Sequence, residues 1–433
     1  METRYIAHIV IEAVTPLKVG SNASDFLQDS PVQKDWNNLP MILGTSIAGV
    51  LRKEFNKSIV DDVFGKENGS KVIISNALLL NENDNVSEDL LLDKSDFLKL
   101  FDNLPIREHT AITDKGVVKD NSKFDEEVVY AGSRFKFSIE LIESEKEVFE
   151  NLLSLLSSVS FRLGGGSTKG FGKLKIKEIK TDTFDLENYE NYSSSLNHQL
   201  THSHSINKPE SNYTTYTLKI TPDDFFMFGS GFGDSDADMT PIYEQVVDYK
   251  NAKLSDKKVL IPTSSIKGAL SHRVAFHYNK YLLENDKEAD YKKIGEKNEA
   301  VKTIFGHKKE SVNINGEDKE LGQKGKILIS DCLKENKEQI KTFDHVSIDR
   351  FTGGAIDGAL FQEKTIAQKD EWSIEILLEN SVEQEYIDAF ESSLKDICSG
   401  MLPLGGMTTK GHGVFSGKVF KDGVELKDEN NTN

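Results

Sequence analysis

Cysteine is nearly absent from this 433-residue chain, which has only Cys332 and Cys398. Two thiols can build neither a disulfide framework nor a four-cysteine zinc site. Long apolar runs are missing too: the longest, LLSLLSSVSF, falls far short of the ~18 residues a membrane helix needs. The opening stretch METRYIAHIVIEAVTPLKVG lacks a basic start leading into an apolar run and a small-residue cleavage site, so no secretory signal is expected. These absences point to a cytoplasmic protein with no membrane partner. Basic charge is also scarce. Lys and Arg number 53 against 71 Asp and Glu, a formal net charge of −18 at pH 7. Such acidity argues against a general nucleic-acid binder, because neutralising phosphates takes clustered Lys and Arg. A sum says nothing about distribution, however.

What is present is ordinary globular material, 37% hydrophobic and 29% charged, and long enough for two or three domains with real cores. Its main feature is an internal repeat. ILGTSIAGVLR (42–52) returns as IPTSSIKGAL (261–270), with Ser46 matching Ser265. VFGKENGSKVIISNALL (63–79) returns, with an insertion, as IFG (304–306) and GKILISDCL (325–333). GGGSTKGFG (164–172) returns as GGMTTKGHG (405–413). The order is kept, so one domain of about 200 residues is written twice. The copies are expected at 1–181 and 214–433, the second ending in an acidic tail. The polar, Ser/Asn-rich stretch 182–213 between them reads as a linker.

Each copy alternates strands and helices. RYIAHIVIEAV and TTYTLKITP alternate in strand fashion, as do SRFKFSIELI and DEWSIEILLE. VIISNALL and KILISDCL read as further strands. Thr45 or Ser46, and Ser264 or Ser265, stand where a helix N-cap is wanted. KEVFENLLSLLSSV and QEYIDAFESSLKDI carry helical spacing, and KLKIKEI and VFSGKVF close the copies as strands. Strand–helix–strand–strand–helix–strand is the split βαβ order, so the expected fold is α+β: two tandem ferredoxin-like, RRM-like domains.

The glycine-rich loops are the first candidates for chemistry. A nucleotide P-loop ending at Gly172-Lys173 needs glycine at 167 and a hydroxyl at 174, where Ser167 and Leu174 stand. GxGxxG fails as well, since Lys169 fills the last place. A tight turn needing positive φ explains the glycines of one isolated loop. It does not explain why Thr168-Lys169 returns as Thr409-Lys410. Glycines that bring backbone amides close to an anion, with a lysine beside them, suit phosphate. Locally the charge is favourable: 161–180 carries a net +5, with Lys173, Lys175 and Lys177 alternating along one strand face. A solvated face is the other explanation for such lysines. The histidines say less. His198, His202 and His204 fall in the polar stretch, His109 and His345 occupy matching places, and His412 is Phe171 in the first copy.

The order small-residue turn, Ser-hydrophobic-x-Gly-x-Leu, then Gly-Gly-x-Thr-Lys-Gly-x-Gly resembles the RAMP superfamily of CRISPR-associated proteins. LKVGSNASDFLQDSPVQKDWNNLPMILGTSIAGVLR looks like the start of a backbone subunit of a type III effector complex, with Asp29 before Ser30-Pro31-Val32. GFGDSDADMTPIYE offers Asp238, with Asp234 and Asp236 nearby. REHTAITDKGVVKDNSKFDEEVVYAG (107–132) and HVSIDRFTGGAIDGALFQEKTI (345–366) resemble segments that form inserted β-hairpin thumbs. The copies depart from the family helix pattern differently: Ala48 replaces its Lys in the first, and Ser271 its Arg in the second.

The resemblance implies that the chain binds guide crRNA through Ser46, Arg52, Lys53, Gly165, Thr168 and Lys169. In the second copy the counterparts are Ser265, Lys267, Arg273, Gly406, Thr409 and Lys410, with Arg350 on the thumb. It implies cleavage of paired target RNA at Asp29 and Asp238, with Mg2+ or Mn2+ held at Asp29, beside other CRISPR effector subunits. A hydrated divalent ion shared between one carboxylate and RNA phosphates suits that chemistry. A loop aspartate capping its own turn is the plain alternative for Asp29. A structural, non-cutting crRNA-binding subunit and a guide-processing ribonuclease are the competing functions.

Overall fold

The computed structural model describes residues 3–21, 30–113, 118–285, 287, 293, 295–314 and 317–427. Asp29 and the end of the acidic tail, 428–433, lie outside the described residues. In the first half the strand Arg4–Ala13 runs between Arg134–Ile142 and Leu174–Phe184, antiparallel to both. Val72–Ile74 and Ala77–Leu79 pair with the outer side of Arg134–Ile142. In chain order the strands lie fourth, first, third, second. The second half repeats this with Phe415–Lys421, Tyr213–Pro222, Trp372–Glu379 and Ile327–Ile329, all antiparallel.

Helices Gly44–Glu54 and Lys146–Leu155 cover the first sheet, and Thr263–Glu284 and Gln384–Cys398 the second. Their buried residues recur at three-and-four spacing, as in Ala389, Phe390, Ser393, Leu394 and Ile397. The expected hydroxyl caps are a correction. The helices begin at Gly44 and Thr263, after Leu43 and Pro262, and neither of those side chains caps. The cap is tertiary: Asn76 Oδ1 accepts the Gly44 N–H at 2.9 Å, and Asp331 Oδ1 accepts the Thr263 N–H at 2.8 Å. Both residues stand at the break in the second strand of their copy, where chain separation hides them from a local reading.

The polar stretch after residue 181 is laid against the first half. His202–Ser203 pairs with Leu174–Phe184, while Phe184 and Leu200 pack with Ile6 on the sheet's outer face. That cover buries His8; burial, helped by Lys136, pushes its pKa down to about 4. His202 and His204 lie 2.7 Å from Asp182 and 3.0 Å from Glu150. The insertion in the second copy forms a hairpin, Gly306–Ile314 with Glu317–Lys324. The start of the acidic tail is ordered too, Val424–Glu425 pairing with Phe415–Lys421.

The halves are joined by more than the chain. Val247 and Tyr249, from the second half of the sequence, belong to the first core, where the Tyr249 hydroxyl donates to the Leu80 carbonyl at 3.0 Å. Arg107 is buried between Glu244 and Asp331, both from the second half, at 2.5 Å from each. Burial alone lowers a guanidinium's pKa, but the two carboxylates outweigh it and hold Arg107 charged. Burial and the neighbouring Asp331 push Glu244 up, because two carboxylates share one guanidinium. Arg162 donates to Ser330 Oγ at 3.0 Å, and Lys173 pairs with Glu375 at 2.6 Å.

Candidate nucleic-acid interface

The glycine-rich loops fold alike, and for a backbone reason. At Gly164 (φ +83°) a Cβ would stand 2.3 Å from the Lys18 carbonyl oxygen; at Gly405 (φ +95°), 2.4 Å from that of Met227. The next amides, Gly165 and Gly406, donate to those same carbonyls at 2.7 Å. The turn therefore requires its glycines. It also consumes donors, since the amides of Lys169, Phe171 and Gly172 each bond a carbonyl of the protein. The expected amide cradle is reduced accordingly, and the positive charge at these loops is carried by side chains.

Those side chains meet the base of a hairpin in each copy. In the first, Ile106–Ile112 pairs with Val118–Glu127, placing His109 opposite Phe124 with the rings stacked at 5.1 Å. Glu126, two residues on, lies 3.2 Å from His109 Nε2 and 3.4 Å from Lys169 Nζ, and also pairs with Lys18. Lys169 Nζ sits 4.7 Å above the Phe124 ring. In the second copy Ile340–Ile348 pairs with Ala355–Ile366, and His345 stacks on Phe361 at 4.8 Å. Glu363 is fully buried, 3.0 Å from His345 and 3.1 Å from His412, and Lys410 Nζ sits 4.4 Å above Phe361. Burial opposes the charged form of Glu126, but His109, Lys18 and Lys169 outweigh it and hold the carboxyl down at about 2.

Of the other expected contacts, Lys267 Nζ reaches Thr168 Oγ1 at 3.3 Å, so a helix of the second copy meets the loop of the first. Arg52 is turned to Asp61 at 2.8 Å and Arg273 to Asp396. Ser46 and Ser265 lie half-buried in their helices' first turns, Lys53 and Thr409 are exposed, and Arg350 is exposed at the hairpin tip. Asp349 beside it forms no pair with Arg350 but caps the turn, accepting from the amides of Phe351 and Thr352 at 2.8 Å. The +5 strip is corrected as well. Lys175 and Lys177 lie 2.6 and 3.6 Å from Glu12, on a strand paired across the sheet that a local window does not count.

Around Asp29 the flanking chain is docked on the return strand: Glu127 N–H donates to the Ser30 carbonyl at 3.3 Å, and Glu127 Oε2 accepts from Val32 N–H at 2.7 Å. In the second copy Lys364 N–H donates to the Met239 carbonyl at 2.9 Å. This register matches Ser30 with Met239, and so makes Asp238, rather than Asp234 or Asp236, the neighbour corresponding to Asp29. Asp238 accepts from Gln362 N–H at 2.8 Å. Lys364, 2.6 and 3.0 Å away, holds Asp234 and Asp236 below the usual carboxylate range. With a lysine between two carboxylates and the third bonded to an amide, these groups do not fit a divalent cation. Among the described residues no three His, Cys, Asp or Glu side chains cluster as metal ligands.

A local reading of the sequence missed Phe124, Glu126, Phe361 and Glu363. Their signal is in plain view: Phe-x-Glu follows the matching histidine by 15 residues in one copy and 16 in the other. It missed Asn76 and Asp331 for want of any local signal.

The family model of the RAMP superfamily matches residues 10–175 and 226–416, one region in each half. No curated protein matches the chain. Among the described residues no helix is long and apolar enough to cross a membrane.

Proposed function

The chain belongs to the RAMP superfamily, and on that premise we propose that it is a guide-RNA-binding backbone subunit of a type III CRISPR effector complex. The observation that carries this reading is the contact of Lys267 with Thr168 Oγ1 at 3.3 Å. It joins the helix surface of one copy to the glycine-rich loop of the other, making a track that passes from copy to copy. A protein that holds RNA by backbone and shape, and leaves sequence to base pairing, needs such a continuous track more than base-reading pockets. The repeated fourth-first-third-second sheet supports the ferredoxin-like reading of each copy, and the paired hairpins support the thumb reading.

Cleavage of target RNA is the finer part of the proposal, with Asp29 and Asp238 as the candidate catalytic groups and Mg2+ or Mn2+ at Asp29 alone. Asp29→Ala and Asp238→Ala are made separately in the assembled complex, and cuts on a complementary RNA are mapped with and without a chelator. Loss of one cut per substitution and dependence on the metal support cleavage; unchanged cutting in both variants sinks it. The engagement of Asp238 with Gln362 favours a second reading, in which the second copy binds RNA without cutting. The first test of RNA binding is simple: the purified chain is expected to carry RNA, raising its absorbance at 260 nm relative to 280 nm.

A further inference from the structure

Each glycine-rich loop carries one lysine that touches the base of a hairpin, and it does so on the same residue types in both copies. Lys169 lies 4.7 Å above Phe124, and Lys410 lies 4.4 Å above Phe361. Each ring is stacked from the paired strand by a histidine, His109 or His345. Two residues beyond each ring stands a buried glutamate, Glu126 or Glu363, which that histidine faces. The copies differ in how the glutamate is used. Glu126 takes Lys169 at 3.4 Å, whereas Glu363 is taken up by His345 and His412, and no carboxylate among the described residues pairs with Lys410. The lysine's place over the ring survives that difference. Two differently paired sites that keep one geometry make the ring contact the shared element.

We propose that Phe124 and Phe361 are positioning residues, which hold Lys169 and Lys410 extended for phosphates of a bound single-stranded RNA and so tie the posture of each hairpin to occupancy of its loop. A lysine on a flexible stem is a mobile point charge, and an aromatic face narrows where its ammonium can sit. Lys169, although paired with Glu126, stays partly exposed and Lys410 is exposed, so a phosphate can reach each ammonium from solvent. Because the ring belongs to the hairpin and the lysine to the loop, moving one displaces the other. The inference rests on the RNA-binding reading above and adds to it the residues that aim the lysines.

The test measures affinity of the full-length chain for a labelled single-stranded RNA of mixed sequence across a range of KCl concentrations. Four variants are compared: Phe124→Leu with Phe361→Leu, Phe124→Trp with Phe361→Trp, Lys169→Met with Lys410→Met, and the leucine and methionine changes combined. Leucine keeps an apolar side chain but removes the π face, and melting curves establish that the variants remain folded. The methionine pair is expected to lower the slope of log affinity against log salt by about 1.4, roughly 0.7 for each phosphate no longer neutralised. The leucine pair is expected to weaken binding roughly three- to tenfold, with tryptophan restoring it. In the lysine-free background the leucine changes are expected to do nothing more. Wild-type affinity in the leucine pair, or an equal loss with and without the lysines, overturns the positioning role while leaving RNA binding intact. A wild-type chain that retains no RNA overturns the RNA-binding reading, and the inference falls with it.

Discussion

At the scale of single residues, two buried titratable groups with very different neighbours, Glu126 and His8, carry most of the consequence. Glu126 is buried and paired, so its carboxyl titrates at about 2 instead of near 4.5. The stability this gives is fully present above pH 4.5 and is lost as pH falls towards 2, about 3 kcal/mol in all. His8 acts in a higher window. Its pKa is lowered from 6.5 to about 4, so stability is whole above pH 6.5 and declines as pH falls through that interval. Urea denaturation from pH 7 to pH 2.5 is therefore expected to lose stability in two steps. Glu126→Gln is expected to shrink the lower step, to which other paired carboxylates also contribute, and His8→Leu the upper; steps that neither substitution changes contradict the assignment. Glu126 could have been found in the sequence by matching the two hairpins, but its partners could not: Lys18 and His109 come from distant segments, and only the folded chain brings them together.

At the scale of elements, the two repeated helices show where local rules end. Their existence and apolar faces follow from the spacing of Ile47 and Leu51, or Ile266 and Leu270. Their N-caps do not, because a tertiary acceptor replaced the hydroxyl that stood nearest in sequence. Asn76→Ala is expected to cost about 1 kcal/mol, as loss of an N-cap does, whereas Ser46→Ala should stay within about 0.5 kcal/mol of wild type. Denaturant midpoints of the two variants check this, and the reverse ranking would return the cap to Ser46. The stretch 182–213 teaches the same lesson differently. Its polar composition reads as a connection, yet a few apolar residues, Phe184, Leu196 and Leu200, suffice to seat it on the sheet.

At the scale of the whole molecule, the junction between the halves is asymmetric in charge. Arg107, Arg162 and Lys173 of the first half face Glu244, Asp331, Ser330 and Glu375 of the second. The position of Asp331 is Asn76 in the first copy, and that of Arg107, two residues before the stacked histidine, is Phe343 in the second. Asp331→Asn keeps an acceptor for the helix cap but leaves Arg107 with only Glu244. Breaking one arm of a buried charge network in this way is expected to cost about 3 kcal/mol. Thermal unfolding reads that cost, and a variant as stable as wild type would show that Glu244 alone satisfies Arg107. The acidity of the chain also acquires a location here, since much of it is spent on lysines and arginines that a residue count treats as free.

That one domain is written twice, the order of strands and helices within it, and the matching places of the glycine-rich loops and hairpins are all legible in the amino-acid order. These follow from periodicity and repetition, which are properties of neighbouring residues. It also carried the family resemblance, because that rests on motifs in order. Tertiary structure alone decided which basic groups stay available to a polyanion, what caps the helices, that Tyr249 enters the other half's core, and that each loop lysine rests on a hairpin ring. All four depend on contacts between segments tens to hundreds of residues apart. Electrostatic pairing and burial fall off with distance in space, and distance along the chain does not measure that.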